Sequence, residues 1–166
     1  MESLHTPEEM RVLSNIGHWI EGGILAIVGF LALLEASGYF HGDGWAYAWP
    51  AFLLLAGLVL PAYMLLHHGL DRVKVSWRFV MEDPQQRQHF LMAVLLLVAG
   101  LAEMSQRLRG GGTLLFGLVW PIALGVIGGL FLVHTQHGTH EAVSWAMRVH
   151  RYLGVVLIAA GFTRLG

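Results

Sequence analysis

Residues 113–134 read TLLFGLVWPIALGVIGGLFLVH, 22 positions without a charged side chain. A helix rises 1.5 Å per residue, so about 20 residues cover the ~30 Å of bilayer hydrocarbon. Apolar residues cover every side of such a helix, and the period-2 alternation of a membrane β-barrel strand is missing. Four other stretches share this character. They are 18–39, interrupted by Glu21 and Glu35; 45–67, with Pro50 near its start and Pro61 inside; 90–108, which contains Glu103; and 145–162. Five helices apolar on all sides leave too little polar surface for a soluble core. The expected fold is all-α, a polytopic integral membrane protein with five transmembrane helices.

Composition agrees. The chain has 166 residues, 55% of them hydrophobic and 13% charged, with a mean hydropathy of +0.59. Soluble domains carry about 25% charged residues. A net charge of -1 and scattered basic residues give nucleic acid no electrostatic footprint. With no cysteine, disulfides, thiolate catalysis, Cys-ligated iron–sulfur or zinc sites and covalent c-type haem are excluded. The first apolar run does not read as a signal peptide, because a long acid-containing segment precedes it and no small-residue cleavage site ends it. Thr6-Pro7-Glu8-Glu9 reads instead as a helix start, with Thr6 as cap and Pro7 as first helical residue.

An internal repeat organises the spans. The second begins Trp49-Pro50 and ends His67-His68-Gly69; the fourth has Trp120-Pro121 and ends Gln136-His137-Gly138. The first and third open at His18 and His89 and later carry Glu35-Ala-Ser37 and Glu103-Met-Ser105. The expected architecture is two parallel helical hairpins, about 16–69 and 89–138, joined by a polar loop over 70–88 and followed by a fifth helix over 144–163. Tight turns at His41-Gly42-Asp43-Gly44 and Arg109-Gly110-Gly111-Gly112 close the hairpins. One face collects Arg11, Arg72, Lys74, Arg78, Arg87, Arg148 and Arg151; the other has Arg107, Arg109 and Arg164. This bias puts the N terminus in the cytoplasm and the C terminus outside, in the inner or plasma membrane of a prokaryote.

On that arrangement His18, His67, His68, His89, His134, His137, His140 and His150 all fall near the basic face, and only His41 lies at the opposite one. Singly, several of these residues fit a helix C-cap. Interfacial anchoring, however, would use both faces and favour Trp, Tyr, Lys and Arg. The grouping therefore points to a metal or haem centre. The first expectation is a haem b protein in electron transfer with quinone or quinol as partner, with His18, His68, His89 and His137 as axial candidates. The glycine-rich helices would leave room for the porphyrin, or serve close helix packing instead. The alternative is a non-haem Fe, Cu or Zn site in an enzyme, transporter or sensor. It would draw on His18, Glu21, His67, His68, His89, His134, His137, His140, Glu141 and His150, since imidazole suits all three metals. A third reading is an accessory subunit of a larger membrane complex. Glu35 and Glu103 lie toward the other face, where a carboxylate inside a span is costly unless paired or wetted; a proton relay is the function expected of them.

Overall fold

The computed structural model of the chain describes residues 7–39, 44–66, 73–110, 114–134 and 140–163. Among these residues there are six α-helices and no strand: α1 (Pro7–Ala36), α2 (Ala48–Leu66), α3 (Val73–Glu82), α4 (Pro84–Leu108), α5 (Leu114–Leu132) and α6 (His140–Thr163). A 3-10 turn, Trp45–Tyr47, leads into α2. Ser14–Ala36, Trp45–Leu66, Pro84–Leu108 and Leu114–Leu132 are long and apolar enough to cross a membrane. The 24 residues of α6 include Arg148 and Arg151 in its first half, which sets its composition apart from those four.

The ends of the helices follow from local chemistry. The amphipathic start and the first span are one continuous helix from Pro7; Thr6 lies outside the described residues. At the other end of α1, Gly38 takes a left-handed φ of 68°. There the Tyr39 N–H donates to the Leu34 carbonyl at 3.1 Å and the Gly38 N–H to that of Glu35 at 2.9 Å, so two terminal carbonyls are satisfied. Gly110, with φ 66°, plays the same part after α4, within the turn expected there.

Within the expected loop 70–88, the described residues from Val73 on are helical apart from Asp83. Its VKVSWRFVME forms α3, which buries Ser76 and Val80 one turn apart and exposes Lys74, Arg78 and Glu82. The helix α4 starts inside the same segment. Asp83 accepts a hydrogen bond from the Gln86 N–H at 2.9 Å and Pro84 takes the first helical position.

The long helices form a row, α1–α2–α4–α5–α6, and α3 packs on α2 and α4. Its centre is built from Trp49, Leu53 and Ala56 of α2, Met92, Leu96 and Ala99 of α4, and Ala123 and Ile127 of α5. Glycine brings the backbones together. A Cβ on Gly57 would stand 2.7 Å from the Leu97 nitrogen, and one on Gly128 2.6 Å from the Gly154 carbonyl oxygen. Outside this core, large apolar side chains face outward, among them Trp19 (83% exposed), Leu114 (81%) and Phe162 (70%). Such a surface suits lipid, which solvates apolar side chains without the cost that water would impose.

Several residues of like type recur at one spacing along the chain. His18 and His89, Trp49 and Trp120, Pro50 and Pro121, and Gly57 and Gly128 are each 71 positions apart (89 − 18, 120 − 49, 121 − 50 and 128 − 57). The Trp49 and Trp120 rings meet at 6.0 Å between centroids in the middle of the row.

Candidate metal centre

Four of the histidines, from α1, α4, α5 and α6, meet at one end of the helix bundle. His18 lies one turn into the apolar part of α1, His89 in the second turn of α4, His134 just past the end of α5, and His150 in α6. Their rings form a closed circuit. The centroids are 5.6 Å apart between His18 and His89, 4.9 Å between His89 and His134, 4.4 Å between His134 and His150, and 6.4 Å between His150 and His18. Three of the four contacts are edge-to-face. His134 and His150 are buried, at 3% and 7% exposure, whereas His18 is exposed on one side.

Backbone groups orient two of the rings. His18 Nδ1 donates to the Ser14 carbonyl at 2.7 Å and His89 Nδ1 to the Gln85 carbonyl at 2.8 Å, each one turn back on its own helix. A carbonyl oxygen only accepts, so Nδ1 carries the proton in both rings, and in the neutral imidazole Nε2 is then the nitrogen with the free lone pair. Metal-ligating histidines are commonly held this way, with the far nitrogen anchored and the near one available. His150 stacks on Phe131 at 5.2 Å and 12° between planes, and its Nδ1 is buried with no hydrogen-bond partner among the described residues. Near His134, the Gln88 side-chain amide donates to the Val133 carbonyl at 3.3 Å and ties α4 to the end of α5.

Of the other expected ligands, Glu21 lies one turn beyond His18 and lines a half-open cavity of about 110 Å³ that shares His18 and His89 as wall. Both its carboxylate oxygens are shielded and accept no hydrogen bond among the described residues. His140 starts α6 and is exposed. His67, His68 and His137 lie outside the described residues, as does the side chain of Glu141. Among the described residues, no three His, Asp or Glu side chains are set as the ligand shell of one ion in this conformation.

The chain matches no family model, no curated protein and no solved structure.

Sequence reasoning did not reach three residues that matter here. Phe131 stands three positions before His134, a helical spacing that could have flagged it. Ser14 and Gln85 act through backbone carbonyls, which leave no mark on residue type. At the opposite end of the bundle, Glu35 is also placed by partners distant in sequence. Arg107 of α4 grips it with both terminal nitrogens, the Nη2–Oε2 bond measuring 3.0 Å, and Trp49 of α2 donates its indole N–H to Oε2. A second pair within α4, Arg107 with Glu103 four residues before it, is longer at 4.0 Å, and the Arg107 guanidinium also stands over the Trp49 ring at 5.1 Å.

Proposed function

We propose that the protein is a polytopic membrane metalloprotein in which His18, His89, His134 and His150 hold one redox-active transition-metal ion, and that this ion transfers electrons within the membrane. The closed circuit of imidazoles from four helices carries the reading. A ring bound through nitrogen at about 2.0–2.1 Å has its centre about 3.1–3.2 Å from the ion, so rings in a tetrahedral shell lie roughly 5.1–5.2 Å apart, a value within the span of the separations in the circuit. The observed separations run from 4.4 to 6.4 Å. Binding an ion would require the four Nε2 atoms to turn toward one point, since no ligand shell is set among the described residues.

The ligand type narrows the chemistry. An all-imidazole set without thiolate suits Cu or Fe among redox metals, and Zn among the others. Four protein ligands fill a tetrahedral shell, whereas hydrolytic sites keep an open position. Haem b would use the same residue type, but two rings now in edge-to-face contact would first have to part around the porphyrin. Of the glycines expected to leave room for it, Gly57, Gly100 and Gly128 lie against neighbouring helices, whereas Gly22, Gly23, Gly125 and Gly129 meet open space.

In this reading α6 is the fifth span, the hairpins α1–α2 and α4–α5 are parallel copies, and the N terminus is cytoplasmic. The common 71-residue spacing and the equivalent Nδ1–carbonyl bonds of His18 and His89 support the duplication. The test is elemental analysis and an optical spectrum of the purified protein. About one Cu or Fe per chain is expected, lost in His89→Ala and in His134→Ala. A Soret band would replace the ion with haem, and metal-free protein after reconstitution with each ion would end the reading.

A further inference from the structure

The helix α6 has two unlike faces. His150, Gly154 and Gly161 are buried toward α5, whereas Trp145, Arg148, Tyr152, Val155, Val156 and Phe162 are exposed on the other side. The exposed face is graded along its length. Trp145, Arg148 and Tyr152 follow one another at helical spacings of three and four, with Arg151 exposed beside them; only apolar side chains come after. The two arginines differ from the other described ones. Arg78 has Glu82 at 3.9 Å, Arg87 donates to the Met81 carbonyl, Arg107 grips Glu35, Arg109 lies over the Phe116 ring, and Arg11 is partnered too. Arg148 and Arg151 have no hydrogen bond or ion pair among the described residues. Beyond them, the 12 residues 152–163 carry no charge and rise about 18 Å, less than the ~30 Å of bilayer hydrocarbon. Both guanidiniums of a membrane-spanning α6 therefore need the headgroup layer, which a long arginine side chain reaches by extending toward it. Tryptophan and tyrosine favour the same level.

We propose that this face of α6 binds one anionic phospholipid, with its phosphate between Arg148 and Arg151, its headgroup flanked by Trp145 and Tyr152, and its chains along Val155, Val156 and Phe162. Charge selects the class of lipid. Two guanidiniums without a carboxylate partner among the described residues leave a doubly positive patch. A zwitterionic lipid sets its own cation against that patch, whereas phosphatidylglycerol brings a net negative charge. The apolar track beyond the arginines selects a lipid over a free phosphate. The inference rests on reading α6 as the fifth span and requires no ion in the histidine circuit.

The experiment titrates the full chain in non-ionic detergent with dioleoyl-phosphatidylglycerol and, separately, with dioleoyl-phosphatidylcholine, and follows the first bound lipid by native mass spectrometry. Phosphatidylglycerol should bind at least about fivefold more tightly, the factor for one basic residue near a membrane surface. Arg148→Gln and Arg151→Gln should each weaken it by a similar factor and leave phosphatidylcholine unchanged. Arg151→Lys, which keeps the charge, should retain the preference, and Arg78→Gln, at an arginine already facing Glu82, should alter neither lipid. The span is tested in vesicles with a nitroxide on Val156→Cys, the sole thiol in a chain without cysteine. Relaxation of the label by oxygen rather than by a water-soluble nickel chelate is expected. Relaxation by the chelate would overturn the fifth span and the lipid site together. A lipid-facing label with equal affinity for the two lipids, undiminished phosphatidylglycerol binding in both glutamine variants, or displacement of that lipid by inorganic phosphate would overturn the lipid site alone.

Discussion

Glu35 stands in a helix apolar enough to cross a membrane, where an unpaired carboxylate would be costly, and its partners come from two other helices. Arg107 and Trp49 together make it a clamp joining α1, α2 and α4. An Arg–carboxylate pair with two parallel bonds fixes geometry as well as energy. Replacing Glu35 by Gln keeps the shape and removes the charge, so the expected loss is on the order of 2 kcal/mol, the value of a hydrogen bond to a charged group. Thermal unfolding in detergent would show it as a lowered Tm, and an unchanged Tm would contradict the clamp. A proton relay through Glu35 makes a different demand: Glu35→Gln would then depress turnover by more than its stability loss explains. Half of this site was readable in the sequence. The spacing of Glu103 and Arg107 by four announces a pair on one helix face. Nothing local announces that Arg107 prefers Glu35, 72 positions earlier, because that contact depends on which helices become neighbours.

At the scale of helices, glycine decides how close neighbours come. Gly154 mirrors Gly128, and a Cβ on Gly161 would stand 2.8 Å from the Pro121 carbonyl oxygen, so α5 and α6 touch through backbone along two turns. Gly128→Leu must push α6 away, and overpacking of this kind costs about 1–3 kcal/mol. It should lower Tm and loosen the His134–His150 contact, whereas Gly23→Ala, where a Cβ meets only open space, should not. The cap of α4 gives a smaller effect: Asp83→Ala should cost about 1 kcal/mol in the same measurement. The apolar helices were legible in the sequence because length and hydropathy are properties of a single segment. The helix α3 was not, because Lys74, Arg78 and Glu82 give it the charge density of a loop while the residues that seat it, Ser76 and Val80, are small. The clustering of histidines at one end followed from counting alternating spans. Which of them meet did not, since that depends on the rotation of each helix about its axis; His140 shares the end and faces outward.

Over the whole molecule, the histidine circuit links the two ends of the helix row. His18 on α1 and His150 on α6 come within 6.4 Å of each other, although α2, α4 and α5 separate these helices along the row. An ion held by all four rings would therefore brace α1, α4, α5 and α6 at once. Binding to the folded state alone stabilises it, by about 2.7 kcal/mol when free ligand is a hundredfold above Kd. The expected result is a rise in Tm on adding Cu or Fe to metal-free protein, reversed by a chelator. His18→Ala should diminish that rise and His150→Ala should do likewise, but the double variant should lose less than the sum, because both residues serve one centre. Glu35→Gln offers the contrast. It weakens the bundle at its other end and should lower the starting Tm while leaving the metal-induced increment intact. If that increment also disappears, the two ends of the bundle are coupled and the centre depends on the clamp for the approach of α1. If the two single histidine effects add in full, the rings act independently and no shared ion joins them.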